Sequence, residues 1–161
     1  MKKVLYVGSF DPPTIGHEDI VKRILEIFDN CIIGVGCDPK KKYTFTQDER
    51  VNMLKHIFTD TGVKIVNYGK QLTCDFAKEI GVKVLVRGVR NSSDYEYEDT
   101  LAKANKEFNH KLETVFIPAD PKLAIISSSF VKGIIGYENW IVRAKKMVHP
   151  YVLEKLVKLC Q

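Results

Sequence analysis

Hydroxyl, carboxylate and imidazole side chains crowd into one short stretch, Val7-Gly8-Ser9-Phe10-Asp11-Pro12-Pro13-Thr14-Ile15-Gly16-His17. It follows an apolar run, Val4 to Val7, and precedes an amphipathic one, Ile20 to Phe28. That order reads as a strand, a tight Gly/Pro-rich turn and a helix whose first turn carries the histidine. In an open α/β sheet such a turn lies at the carboxyl end of a strand, where ligands bind. The helix start adds backbone N–H groups and the positive end of its dipole, so the natural guest is an anion such as phosphate. Thr14 and His17 place a hydroxyl and an imidazole on one side of that start. Asp11-Pro12-Pro13 carries the marks of turn chemistry.

A second set of chemically able residues lies far along the chain. Arg87-Gly88-Val89-Arg90 follows the apolar run Val82 to Val86, and Lys40-Lys41-Lys42 sits in the middle of the loop Gly36 to Phe45. Ser127, Ser128 and Ser129 open a late helical stretch. Arginine takes phosphate oxygens through a bidentate fork, and lysine takes them as a point charge. Cations with neutral donors and no evident base suit phosphoryl or nucleotidyl transfer. There the attacking phosphate is already an anion, and catalysis is positioning plus stabilisation of charge on phosphorus. His17 then serves as a donor to a phosphate oxygen rather than as a general base.

These residues need a frame that brings them together. Strand and helix alternate five times along the chain. Strands are expected at Val4–Val7, Cys31–Val35, Val63–Val66, Val82–Val86 and Leu112–Ile117. Thr46-Gln47-Asp48-Glu49 has the capping-box form at the head of a helix carrying Val51, Leu54 and Phe58. A short helix over Leu72–Ile80 ends at Gly81, and Ser93 with Glu96 is placed to cap the next. Tyr137 to Cys160 reads as two helices, the second entered through Pro150. The alternation predicts an α/β fold: a doubly wound, five-stranded parallel sheet with helices on both faces and helices at the carboxyl end. In the usual strand order the first and fourth strands are neighbours where the winding reverses. The turn around His17 then meets Arg87 and Arg90 in one crevice.

Composition narrows the class. At 161 residues the chain is expected to form a single domain, residues 1–161. It is 45% hydrophobic and 28% charged, as an ordinary soluble protein is. No run of eighteen apolar residues occurs, so no membrane span is expected, and Met1 to Leu5 reads as the start of a strand rather than a leader. The four cysteines are scattered without zinc-like spacing, which fits free thiols in a reducing cytosol. A formal charge of +5 suits acidic small molecules as well as nucleic acid. There is no phosphate-loop motif, Gly34-Val35-Gly36 is followed by Pro39 where a dinucleotide fingerprint needs glycine, and no G-x-S-x-G elbow makes a serine nucleophilic. His56, His110 and His149 sit in no constellation and read as structural or surface residues.

Gly8-Ser9-Phe10-Asp11-Pro12 with Thr14-Ile15-Gly16-His17 resembles the nucleotide-binding signature of the nucleotidyltransferase superfamily. Arg87 to Arg90 followed by Asp94-Tyr95-Glu96-Tyr97-Glu98 resembles the bacterial phosphopantetheine adenylyltransferases. Lys41, Phe45-Thr46, Glu49-Arg50, and Ile126 to Ser129 with Val131-Lys132 fall in the same order. The resemblance implies transfer of the adenylyl group of ATP to 4′-phosphopantetheine, giving dephospho-coenzyme A and pyrophosphate without a covalent intermediate. It implies that magnesium is carried by the ATP phosphates and not by protein side chains. His17 is implied as transition-state stabiliser, with Lys41 and Arg90 beside it. Ser9, Phe10, His17, Gly88, Val89, Arg90, Glu98 and the segment Leu123, Ala124, Ile125, Ile126, Ser127, Ser128, Ser129 are implied at ATP. Ser9, Lys41, Leu72, Thr73, Arg87 and Asn105 are implied at phosphopantetheine. Family members are cytoplasmic homo-oligomers, usually hexamers. Two other readings stand beside this one: a nicotinate mononucleotide adenylyltransferase, and a non-enzymatic nucleotide or nucleic-acid binding module.

Overall fold

Val4, Leu5, Tyr6 and Val7 are all buried, so the first strand is covered on both faces and lies at the centre of the sheet. The computed structural model describes residues 2–160. The chain runs β1 (Lys3–Gly8), α1 (Ile15–Ile27), β2 (Asn30–Gly36), α2 (Gln47–Ile57), β3 (Lys64–Gly69), α3 (Thr73–Glu79), β4 (Val84–Val89), α4 (Ser92–Phe108) and β5 (Glu113–Pro118). Three short helices follow, α5 (Ser128–Gly133), α6 (Trp140–Ala144) and α7 (Pro150–Lys158). All strand pairs are parallel, in the order β3-β2-β1-β4-β5, so the winding reverses between β1 and β4 as the alternation predicts.

Alternate residues of β1 feed two cores. Val4 and Tyr6 pack with Ile20, Val21 and Ile24 of α1 and with Val51 and Leu54 of α2. Leu5 and Val7 pack with Cys74, Phe76 and Ala77 of α3, and with Leu85 and Leu112. A third cluster joins Met53 of α2 to Val131, Val152 and Leu156, which docks α5 and α7 beside α2. At about 1.5–3 kcal/mol for each large apolar side chain fully buried, these clusters dominate the energetics.

The ladder between β1 and β4 is brief. It covers Leu5↔Leu85 and Tyr6↔Val86, whereas β1 and β2 stay paired from Lys3↔Asn30 to Gly8↔Val35. The sheet therefore opens between its two central strands at their carboxyl ends.

Several boundaries depart from the pattern-based expectation. β4 is shifted toward the carboxyl end, because Arg87, Gly88 and Val89 pair with Phe116, Ile117 and Pro118 of β5. Val82 is buried in a core without joining the ladder. The cap of α4 is Asn91, whose side chain accepts from the Asp94 N–H at 2.9 Å; Ser93 is already helical. The Thr46–Glu49 box forms at α2, and Gly81 takes a positive φ of 68° after α3. His149 caps α7 and His56 stacks on Tyr151 at 4.0 Å, both structural, while His110 is exposed. Cys31, Cys37, Cys74 and Cys160 are free thiols, and burial pushes Cys31 up to about 12.

Candidate active site

The signature turn is built around Phe10, a non-glycine residue at φ 50° with 1% of its surface exposed. A left-handed backbone costs a non-glycine residue roughly 1–2 kcal/mol. Here the ring offsets that cost by packing edge-on against Tyr6 and His17, with centroids at 5.6 Å and 5.0 Å. Gly8 leaves room for the ring beneath it: a Cβ there would stand 3.0 Å from Phe10, a contact the ring could relieve only by shifting. Asp11, joined to Pro12 by a cis peptide bond, is more than a turn residue. Its buried carboxylate accepts from the N–H groups of Thr44 and Phe45, each at 2.9 Å, and from Lys132 Nζ at 3.0 Å.

Thr14 is the N-cap of α1 and His17 its third residue. The Thr14 N–H donates to His17 Nδ1 at 3.0 Å, and the Thr14 hydroxyl lies 2.9 Å from the same nitrogen. A nitrogen that accepts from a backbone N–H cannot hold the ring proton, so the proton is on Nε2. Burial, followed by the positive charges of Arg90 and Arg87, lowers His17 to about 4. The imidazole is therefore a neutral N–H donor near neutral pH, not an imidazolium and not a base in waiting.

Arg87 bridges the open seam of the sheet. Its guanidinium donates to the Val7 carbonyl and pairs in a fork with Glu98, Nε to Oε2 at 2.6 Å. Burial works against its charge, but the Glu98 carboxylate overrides that and raises the guanidinium's pKa. Arg90 is more exposed and pairs with Asp94 at 2.6 Å and 3.0 Å. An exposed pair of this kind is worth about 0–1 kcal/mol, so Arg90 is cheaply redirected to a ligand.

Two cavities meet at this seam. One, of about 420 Å³, is lined by Ser9, Phe10, His17, Gly88, Arg90, Leu123 and Ile126 to Ser129, with Lys132 at its side. The other, of about 320 Å³, is lined by Leu72, Thr73, Leu101 and Asn105. Gly8, Ser9, Lys41, Arg87 and Glu98 face both, so they form the shared wall. Among the sequence-expected residues, Val89, Ala124 and Ile125 line neither cavity, and Ile125 is 65% exposed. The serines divide. Ser127 caps α5 by accepting from the Phe130 N–H at 3.0 Å, and Ser128 donates to the Pro12 carbonyl at 2.8 Å. Glu98 spends its carboxylate on Arg87.

Asp11, Arg50 and Lys132 stand in the motifs that carry the resemblance, but no role at the site was expected of any of them; Asp11 and Lys132 line the cavity beside α1, and Arg50 bonds the Ser9 carbonyl from behind it. For Arg50 a signal existed: it lies four residues before Leu54, on the apolar face of α2. A cavity with anion-binding groups on both sides of a shared cationic wall can hold two phosphate-bearing ligands with their phosphates adjacent.

The sequence pattern of the cytidylyltransferase-like proteins matches residues 5–134. The chain is 44% identical over 138 residues to the phosphopantetheine adenylyltransferase of Cytophaga hutchinsonii, covering 86% of this chain and 92% of that one. It is 37% identical over 160 residues to that of Chromobacterium violaceum, covering 99% and 98%. Among solved structures, the nicotinic acid mononucleotide adenylyltransferase of Plasmodium falciparum complexed with NaAD superposes with a TM-score of 0.72 at 20% identity, over 98% of this chain and 96% of that one. At that identity the likeness speaks for the fold alone. The resemblance read from the Ser9–His17 and Arg87–Glu98 motifs thus holds along nearly the whole chain, which belongs to the phosphopantetheine adenylyltransferase family within the cytidylyltransferase-like proteins.

Proposed function

We propose that the protein transfers the adenylyl group of ATP to 4′-phosphopantetheine, releasing pyrophosphate and forming dephospho-coenzyme A. The observation that carries this reading is the shared wall: Ser9, Lys41 and Arg87 face two cavities at once, where an acceptor phosphate and an α-phosphate would have to meet. The cavity beside α1 takes ATP, and the cavity beside α3 and α4, with Leu72, Thr73, Leu101 and Asn105, takes the long pantetheine arm. An acceptor phosphate oxygen attacks the α-phosphorus while the bond to pyrophosphate breaks on the far side. No proton is removed, so it is no obstacle that Glu98, the carboxylate of the wall, is engaged with Arg87. The neutral Nε2–H of His17 donates to an α-phosphate oxygen as charge builds there, and Lys41, Arg87 and Arg90 supply positive charge around it.

Three carboxylates line the ATP cavity, and each is paired with a cation: Asp11 with Lys132, Asp94 with Arg90, Glu98 with Arg87. That donor set suits magnesium arriving on the triphosphate rather than on a protein cage; bound there it would neutralise phosphate charge. A homo-oligomer, a hexamer by family resemblance, is supported by exposed large apolar side chains outside the two cavities, among them Phe108 of α4 and Ile141 and Val142 of α6. A cytoplasmic setting fits the free thiols; among the described residues no helix is long and apolar enough to cross a membrane.

The test is pyrophosphate release from ATP and magnesium, with phosphopantetheine and nicotinate mononucleotide offered separately. Release with phosphopantetheine alone supports the reading. Release with the mononucleotide alone transfers the same mechanism to a different acceptor, and release with neither overturns the enzyme assignment.

A further inference from the structure

Arg50, in the first turn of α2, is 1% exposed and is the largest fully buried side chain of the fold. Among the described residues it has no carboxylate partner. Its Nη1 donates to the Ser9 carbonyl at 2.6 Å and to the Gly36 carbonyl at 3.1 Å, its guanidinium lies 4.3 Å from the centre of the Tyr43 ring, and its Nε is buried without a partner. As core filling this is a poor choice. A buried, unpaired cation is costly, and an apolar side chain of similar volume would fill the space without that cost.

What Arg50 holds accounts for its presence. Ser9 follows β1 directly, and Gly36 ends β2. Tyr43, resting on the guanidinium, accepts from the Asp38 N–H at 2.7 Å, and the Asp38 carbonyl in turn accepts from the Lys41 N–H at 3.0 Å. A chain of contacts thus runs from Arg50 through Tyr43 and Asp38 to Lys41, and a direct bond runs from Arg50 to Ser9.

We propose that Arg50 is a positioning residue for the transfer reaction: from beneath the shared wall it fixes Ser9 and the loop bearing Lys41 in one mutual geometry. The proposal rests on the reading that Lys41 and Ser9 meet the acceptor phosphate. Arg50 touches no substrate itself; it acts through Ser9 and Lys41. Both carbonyl bonds come from Nη1 alone; what a lysine ammonium lacks is the planar guanidinium face that rests on the Tyr43 ring.

The test combines two readouts on the whole protein. Hydrogen exchange at residues 37–45 is compared among wild type, Arg50→Lys and Tyr43→Phe, and acceptor KM and kcat are measured for the same proteins with Lys41→Ala and the Arg50→Lys/Lys41→Ala double variant. Faster exchange at Asp38 and Lys41 is expected in both single variants, with melting temperature held within a few degrees of wild type. Acceptor KM should rise about tenfold or more in Arg50→Lys, and the double variant should lose less than the sum of the two single losses. Unchanged exchange in this loop, or fully additive losses, overturns the proposal. Tyr43→Phe keeps the question open to measurement whatever Arg50→Lys does to folding, and unchanged Asp38 exchange in that variant overturns the chain of contacts. No turnover of phosphopantetheine by wild type overturns the acceptor assignment instead, and the exchange data then decide on Arg50 by themselves.

Discussion

The backbone N–H of Thr14 points at Nδ1 of His17, 3.0 Å away, and that one bond determines which face of the imidazole is offered to a ligand. With Nδ1 occupied as acceptor, Nε2 carries the proton, and the same helix start that binds anions also orients the donor. Replacing His17 by alanine should lower kcat by about 10²–10³ while ATP still binds, as for loss of a donor used in the transition state. Isothermal titration with ATP beside steady-state rates checks this. Lost ATP affinity with normal turnover of bound substrate would reduce His17 to a binding group.

The low value of His17, about 4, carries a pH signature. Because the folded value lies below the unfolded one near 6.5, the unfolded chain binds more protons between them. Stability linked to this group is therefore fully present above about pH 6.5 and is lost as pH falls toward 4. Melting temperatures across that window should fall more steeply for wild type than for His17→Gln. Parallel slopes would show that the imidazole titrates normally.

Glu98 serves as the counter-charge of Arg87, with 10% of its side chain exposed. Removing one member of such a pair leaves an uncompensated charge, so Glu98→Ala should destabilise the protein by about 3 kcal/mol. Denaturant unfolding measures it, and saturating inorganic phosphate should restore part of the loss by binding the freed guanidinium. A stable Glu98→Ala protein with weakened ATP binding alone would instead place Glu98 at the nucleotide.

Gly36 ends β2 under the ring of Tyr68, and a Cβ there would stand 2.5 Å from the Tyr68 hydroxyl. Tyr68 cannot move freely, because it stacks on Phe76 at 4.8 Å and its hydroxyl lies 3.2 Å from that of Thr73. Gly36 and Tyr68 line the cavity beside α3 and α4 and not the one beside α1, so Gly36→Ala should cost about 1–3 kcal/mol and raise the KM for phosphopantetheine with little change for ATP. Equal effects on both substrates would contradict the division of the two cavities.

The fold was readable because its signal is repeated. Five apolar runs alternate with amphipathic ones, the right-handed crossover rule leaves few topologies for such a chain, and the commonest of them, the doubly wound order, is the one found. The meeting of His17 with Arg87 and Arg90 follows from that order alone. What the sequence hid is how charged groups are spent. Glu98 lies eleven residues after Arg87, and only the packing of α4 against β4 makes them partners. Asp11 lies 121 residues before Lys132 and holds two N–H groups from a loop whose path no local pattern describes. Ser127 and Ser128 line the cavity as their type suggests, but no local pattern shows that the one hydroxyl also caps a helix and the other also anchors a turn.

Between β1 and β4 the main-chain ladder stops after two residue pairs, and beyond it the strands are spanned by Arg87 reaching to Val7. The width of the crevice is thus gauged by one side chain, where elsewhere in the sheet interstrand distance is dictated by the backbone. A change of reach at position 87 would alter that width and at the same time leave the Glu98 carboxylate without its partner, so the geometry of the crevice and the stability of the scaffold are set by the same side chain.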